Sequence, residues 1–299
     1  MTVHDSQIRR TDMSKVWLVT GSGAGLGRQI TIQALEAGHC VVATARDTKQ
    51  LDDLVASYGS RVRPVRLDVT DELESVAAVG VAISVYGRLD VLVNNAGFGE
   101  TRPFEEVPSD DFRRVVETNF FGVVNLTRAA LPEMRRRRSG HIIQISSVGG
   151  RSALQGNAAY VASKWAVGGF TETVALEVAP FGVKVTALEP GGMRTNWGKR
   201  AFGRMPPISP DCDASIGATV RQLEAYWGNE PGDPEKVAKV VVGIAEADRL
   251  PPHILLGSDA LQGALGADAV RNAAAERWRA VSAWADLASP GPLPDLPSE

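Results

Sequence analysis

Across 299 residues, 32 basic and 35 acidic side chains leave a net charge of −3, which gives no electrostatic reason for a nucleic-acid partner. A chain this long supports one large α/β core. Its two cysteines, Cys40 and Cys212, and four scattered histidines offer neither a disulfide framework nor the spacing of a metal site. No apolar run reaches the roughly 18 residues of a membrane span, so the expectations are no membrane span, no metal, and a reducing, cytoplasmic compartment.

In chain order, residues 1–13 are polar and lack the apolar core of a signal peptide, and read as a flexible, dispensable extension. Apolar runs predict strands over 16–20, 40–45, 62–67, 91–94, 141–146, 183–189 and 253–256. Helical spacing falls between them, over 25–37, 48–58, 71–86, 110–137, 160–179 and 234–247. This alternation predicts an α/β fold: a single doubly wound, Rossmann-type domain over 14–257, its seven-stranded parallel sheet covered by helices on both faces. The rhythm breaks over about 193–234, which reads as a lid over a substrate. Residues 258–299 read as a C-terminal helix, with Leu261, Leu265, Val270, Ala274, Trp278, Val281 and Trp284 as its apolar members, followed by a Pro-rich tail. That helix is expected beside the substrate cleft or against a neighbouring subunit. The four arginines at 135–138 read as a solvated helix end complementing the dipole, with an anion-binding patch as the alternative.

Three places carry chemistry. After the first strand, Thr20-Gly21-Ser22-Gly23-Ala24-Gly25-Leu26-Gly27 opens a helix; glycines there permit a tight turn and close approach of a pyrophosphate to backbone amides. Tyr160 and Lys164 stand four apart on a predicted helix and share one face. An ammonium there stabilises the phenolate and lowers a pKa that is ordinarily about 10. Ser147 lies thirteen residues before Tyr160 at the carboxyl end of a buried strand, where open α/β sheets place ligands.

With these motifs the chain resembles the short-chain dehydrogenase/reductase family, in its form with a core of about 250 residues. The matching positions are the 20–27 loop, Asn94-Asn95-Ala96-Gly97, Asn119, Ser147, Tyr160, Lys164 and Pro190-Gly191 with Thr195, in the family's order and spacing over 14–257. Within the family it looks most like the branch holding 17β-hydroxysteroid and retinol dehydrogenases and related bacterial reductases.

The resemblance implies an NAD(P)-dependent oxidoreductase with Asn119, Ser147, Tyr160 and Lys164 as its catalytic residues. Tyr160 would be the general acid or base, and Ser147 a hydrogen-bond donor to the reacting oxygen. Lys164 would hold the nicotinamide ribose, and Asn119 a water linking Lys164 to solvent; a helix-stabilising polar residue is the alternative for Asn119. It implies cofactor contacts from Gly21, Ser22, Gly25, Leu26 and Gly27, from Asp68 and Val69 beside the adenine, and from Asn95, Ala96 and Gly97. Tyr160 and Lys164 belong to the same set, as do Pro190, Gly191, Met193 and Thr195 on the nicotinamide side. Asn94 is expected to serve the sheet, and Gly192 occupies a variable slot.

Members that prefer NAD usually end the second strand in an acid, but this chain has Ala45 there, followed by Arg46, whose guanidinium suits a 2′-phosphate. NADP is therefore favoured over NAD, and Asp47 reads as a helix cap. Phe98, Val148, Trp197, Phe202, Met205, Tyr226 and Trp227 suggest a pocket for a lipophilic ketone, aldehyde or alcohol, or else simple packing of the lid. An NAD-dependent alcohol dehydrogenase, an epimerase or dehydratase, and a non-catalytic dinucleotide sensor are the alternatives. The resemblance also suggests a homodimer or homotetramer built on the helices at 110–137 and 160–179. Phe112, Val115, Val116, Val123, Leu126, Trp165, Phe170 and Val174 supply more apolar surface than one sheet face requires.

Overall fold

The computed structural model describes residues 14–202, 207–289 and 291–297, with the side chains of 199, 200 and 202 left aside. The expectations for residues 1–13, for Met205 and for the Phe202 side chain lie outside what is described. Seven strands form one parallel sheet in the order β3-β2-β1-β4-β5-β6-β7. They are β1 (Val16–Val19), β2 (Cys40–Ala45), β3 (Val62–Arg66), β4 (Val91–Asn94), β5 (Gly140–Ile145), β6 (Val183–Pro190) and β7 (His253–Leu256).

Strand geometry explains why β1 is apolar at every position. Alternate side chains leave opposite faces of a strand, so Trp17 and Val19 enter one core while Val16 and Leu18 enter the other. The first core holds Ile30 and Leu35 of α1 (Gly25–Glu36), Leu54 of α2 (Asp52–Tyr58) and Val241 of α9 (Pro234–Ile244). The second holds Ala78 and Ala82 of α3 (Glu72–Tyr86), Leu126 and Met134 of α5 (Gly122–Arg137), and Val174 of α6 (Ala158–Val178). Strand order reverses between β1 and β4, and a crevice opens at their carboxyl ends.

Three departures from the sequence reading stand out. First, the expected helix over 110–137 is α4 (Ser109–Val116), a π-helical turn (Glu117–Phe121) and α5. The wide turn sits where the Asn119 side chain reaches back to the Phe98 backbone and where Gly122 lies against Val69. Second, the expected oligomer face is partly core: Val115, Val123, Leu126 and Val174 are buried, whereas Trp165 is 42% exposed beneath the Arg271 guanidinium.

Third, the C-terminal segment forms α10 (Ser258–Arg277) and α11 (Arg279–Trp284), and α10 docks through Ala260 and Ala264. Leu261, Leu265 and Val270 stay exposed, so the small residues, not the large apolar ones, form its contact face. The arginine run ends α5 as the sequence suggests, with Arg135, Arg136 and Arg138 exposed. Arg137 pairs with Asp90, Arg138 donates to the Pro180 carbonyl, and Arg135 lies over the Phe181 ring. The breaking segment contains α7 (Asn196–Phe202) and α8 (Ala218–Tyr226), and is rooted where Met193 bridges Gly232.

Candidate active site

The glycine loop joins β1 to α1 through two residues of positive φ, Gly21 (+71°) and Gly25 (+60°), a conformation that side chains rarely adopt. Close packing adds to this: a Cβ on Gly27 would stand 2.3 Å from the Asn95 amide and 2.4 Å from the Gly21 carbonyl. Thr20 ties the loop to β4, its Oγ1 accepting from the amides of Asn95 and Ala96, both at 2.9 Å. Asn95 Nδ2 donates to the Thr20 carbonyl at 2.9 Å. Leu26 is buried behind the loop in the core.

Ser22 is turned away from the crevice. Its hydroxyl donates to the Val19 carbonyl at 2.9 Å, accepts from Thr31, and is fully buried, so the side chain shapes the loop from behind. The first turn of α1 carries no acidic residue, and its amides face a crevice of about 420 Å³ lined by Gly25, Arg28, Arg194, Thr195 and Glu230. That cradle suits the pyrophosphate of a dinucleotide.

At the end of β2, Ala45 is buried and offers no carboxylate, and Arg46 is exposed beside it. Asp47 caps the following turn, as the sequence suggests, accepting from the Lys49 amide at 3.1 Å. Asp68 faces the same region. Burial would raise its pKa, but hydrogen bonds from Thr70 and the fields of Arg46 and Arg66 bring it below the ordinary value. Val69 is buried against Gly122 and its carbonyl accepts from Asn125, so it contributes wall rather than polar contact.

The four residues expected to be catalytic come from three separate elements. Ser147 follows β5 in extended conformation and starts a 3₁₀ turn (Val148–Gly150), its hydroxyl accepting from the Gly149 amide at 3.0 Å. Tyr160 and Lys164 project from the start of α6. Ser147 Oγ and the Tyr160 ring come together over Gly149, where a Cβ would stand 3.4 Å from the hydroxyl and 3.3 Å from the ring. Lys164 Nζ lies 5.7 Å from the Tyr160 ring centroid and donates to the Ile145 carbonyl at 2.8 Å. Burial raises the tyrosine pKa, with Ser147 acting the other way, and lowers that of Lys164 to about 8. The sequence expectation of a lowered phenol pKa counts on positive charge from a bound cofactor, and burial by itself points the other way. The low-dielectric setting disfavours the charged form of each group, and that outweighs any help the ammonium gives its neighbour.

Asn119 is fully buried in the π-helical turn with every polar atom engaged. Its Oδ1 accepts from the Phe98 amide at 3.0 Å, and its Nδ2 donates to the Phe98 carbonyl at 2.8 Å and to Ser163 Oγ at 3.1 Å. It clamps the segment after β4 beside Lys164, since a Cβ on Gly97 would lie 3.0 Å from Asn119 Oδ1 and 3.7 Å from Lys164 Nζ. Asn94 serves the sheet, donating to Gln144 and Thr127.

The loop after β6 carries Pro190, Gly191, Met193 and Thr195 past the glycine loop, where Gly25 and Thr195 are neighbours. Arg194 donates through its amide to the Gly232 carbonyl at 2.9 Å. Trp197 then leans over the candidate acid–base residue, with its ring centroid 5.2 Å from that of Tyr160 and 6.2 Å from that of Trp227. Gly99 makes this approach possible, because a Cβ there would stand 2.9 Å from Trp197 and 3.1 Å from Tyr160.

Sequence reasoning missed Gly99, Gly149 and Asp259, whose importance lies in contacts between segments far apart in the chain. Among the described residues no cluster of His, Cys, Asp and Glu could hold a metal, and no helix is long and apolar enough to cross a membrane.

Comparison with known proteins fits this geometry. The short chain dehydrogenase family model matches residues 15–204. Oxidoreductase BOA17 of Botryotinia fuckeliana is 44% identical over 271 residues, covering 90% of this chain and 98% of its own. Retinol dehydrogenase 8 of Homo sapiens is 34% identical over 251 residues, 78% of each chain. A crystal structure of a short-chain dehydrogenase from Streptomyces avermitilis matches with a TM-score of 0.85 at 41% identity, over 92% of this chain and 100% of that one.

Two solved neighbours at 27% identity carry dinucleotides. ElxO with NADP bound has a TM-score of 0.70 over 84% of this chain and 100% of its own. The 3-ketoacyl-(acyl-carrier-protein) reductase of Brucella melitensis, complexed with NADH, has a TM-score of 0.69 over 81% and 95%.

Proposed function

The chain belongs to the short-chain dehydrogenase family, oxidoreductases that work with a nicotinamide dinucleotide, and we propose that it uses NADP(H) to interconvert a ketone or aldehyde and an alcohol on a lipophilic substrate. One observation carries the reading. The Ser147 hydroxyl stands beside the Tyr160 ring at the carboxyl edge of the sheet, with Lys164 buried one helical turn on.

The nicotinamide, when bound, supplies or accepts the hydride. Tyr160 gives a proton to the substrate oxygen in reduction or takes one from the hydroxyl in oxidation. Ser147 donates a hydrogen bond to that oxygen as charge gathers on it. Lys164 binds the nicotinamide ribose and stabilises the phenolate when Tyr160 has lost its proton. Asn119 holds the 97–98 segment beside Lys164 and supports a water path from Lys164 to solvent. Gly21, Gly25 and Gly27 admit the pyrophosphate, Asp68 and Val69 flank the adenine, and Asn95, Ala96 and Gly97 line the floor. Pro190, Gly191, Met193 and Thr195 fix the carboxamide.

NADP is favoured over NAD because Ala45 brings no acid to the ribose and exposed Arg46 stands free to meet a 2′-phosphate. The nearby Asp68 carboxylate supports the competing reading, an NAD enzyme in which Arg46 serves Asp68 instead. The wall of Trp197 and Trp227 beside Tyr160 supports a lipophilic substrate, as does kinship to a protein named for retinol. Cys40 and Cys212 are unpaired, in keeping with a cytoplasmic enzyme. Exposed Phe121 and Leu176, with Trp165, support a homodimer or homotetramer.

The test is nicotinamide oxidation and reduction, followed by absorbance, against a panel of carbonyls and alcohols of graded lipophilicity with each dinucleotide. No turnover with any pair, from protein that binds the dinucleotide, would defeat the catalytic reading.

A further inference from the structure

Asp259 stands in the first turn of α10, outside the 15–204 span that the family model matches. Its Oδ2 accepts from the Gly192 amide at 2.8 Å and from the Tyr226 hydroxyl at 3.2 Å. It thereby joins the loop after β6 to the last turn of α8, in the lid. The backbone is shaped around this carboxylate. A Cβ on Gly191 would lie 2.3 Å from both of its oxygens, and one on Gly257, where φ is +115°, would lie 2.6 Å from Oδ1. On its far side the loop is held by the Gly232 amide, which donates to the Gly192 carbonyl at 2.9 Å.

Asp259 makes no ion pair among the described residues, and its Oδ1 is buried without a hydrogen-bond partner. The residue as a whole is half-buried, with that one oxygen shut off from water. An apolar side chain in its place would not fix the direction of the Gly192 amide or the Tyr226 hydroxyl. The same helix reaches the serine turn farther along. Asp268 pairs with Arg151 at 2.7 Å, and a Cβ on Gly263 would lie 3.6 Å from Val148.

We propose that Asp259 is a positioning residue that latches the 190–195 loop to the root of the lid, making α10 a working part of the cofactor site. The cofactor half of this rests on the reading of that loop as the nicotinamide side. The latch itself does not. When the dinucleotide enters, the loop that receives it and the lid that covers it are already one unit, so less ordering remains to oppose binding.

The experiment uses the full chain with Asp259→Ala, Asp259→Asn and Tyr226→Phe. NADPH affinity is read from quenching of tryptophan fluorescence, and the loop and lid from amide hydrogen exchange in the free protein. Asp259→Ala should weaken NADPH binding by about tenfold to a hundredfold, the range of a charge-assisted hydrogen bond, and speed exchange in 190–195 and 222–232 together. Asp259→Asn keeps an acceptor for Gly192 and should recover most of the affinity. Tyr226→Phe should speed exchange in 222–232 and leave 190–195 protected.

Wild-type affinity and exchange in Asp259→Ala would overturn the proposal. So would exchange raised evenly across the sheet, or an Asp259→Asn variant as impaired as the alanine. Should Asp259→Ala fail to fold, Asp259→Asn and Tyr226→Phe decide alone, and unchanged lid exchange in Tyr226→Phe overturns the latch. If the unmodified protein binds neither NADPH nor NADH, the cofactor reading fails, while the exchange results still decide for or against the latch.

Discussion

Asn119→Ala separates two roles that the sequence leaves open for this residue. The substitution removes the partner of the Phe98 amide and of the Phe98 carbonyl, and one bond to Ser163. Ser163 keeps its hydrogen bond to the Tyr160 carbonyl at 2.7 Å, so the loss falls on the two Phe98 groups. A buried backbone group left unpaired costs about 1–3 kcal/mol. Phe98 is only half-buried, so water recovers part of this, and about 2–4 kcal/mol in total is expected. In a chain of this size that lowers Tm by roughly 3–6 °C. Thermal unfolding by circular dichroism reads the total, and faster exchange at the Phe98 amide locates it. Activity should fall as well, because the freed 97–99 segment lies against Tyr160, Trp197 and Lys164. An unchanged Tm and a protected Phe98 amide, together with a large fall in kcat, would refute the clamp and leave Asn119 to the water path alone.

Tyr160→Phe should lower kcat by about 10²–10⁴-fold, the usual worth of a general acid or base, while dinucleotide affinity and Tm stay near wild type. Arg46→Ala should raise KM for NADPH by roughly 10- to 150-fold and leave NADH almost untouched, and adding Ala45→Asp should invert the preference. Equal efficiency with both cofactors before and after Arg46→Ala would decide for the NAD reading. Because burial holds the Tyr160 pKa above its ordinary value, its phenol should stay protonated through neutral pH in the free protein. The near-ultraviolet difference between wild type and Tyr160→Phe should then show no phenolate until strongly alkaline pH; a titration near neutrality would contradict it. Light scattering at micromolar concentration should report a dimer or tetramer, and a monomer would remove the assembly proposal.

The fold was legible because its signal is local and repeated: seven apolar runs of strand length, each followed by helical spacing or a turn. The glycine loop and the Tyr160–Lys164 face were legible for the same reason, since fixed offsets along one element determine which side chains meet. What escaped depends on contacts across the chain. Nothing near Asn119 marks a π-helical turn, because the cause is the Phe98 backbone twenty-one residues earlier. Ser22 looks like a ligand-facing hydroxyl until Thr31 and the Val19 carbonyl claim it. The apolar spacing of the last helix does not mark its contact with its own core, which Ala260 and Ala264 make while Leu261 and Leu265 stay exposed. Leu126 and Val174 looked surplus but fill the second sheet face, and Val115 and Val123 are buried as well.

Burial acts on Tyr160 and Lys164 in one direction, toward neutrality, although their charges are opposite. A protonated phenol beside Ser147 is a competent proton donor, so on the proposed mechanism carbonyl reduction needs no prior ionisation. Oxidation needs the phenolate. The ammonium that could stabilise it is tied to the Ile145 carbonyl at 2.8 Å, and its own pKa of about 8 leaves it partly discharged just where a base would be useful. Stabilising the phenolate therefore calls for more positive charge beside the pair than these residues supply. An oxidised nicotinamide is cationic and would bring that charge; a reduced one would not. Burial thus sets the protonated form that reduction requires, whereas the phenolate that oxidation requires depends on the charge an oxidised nicotinamide would bring.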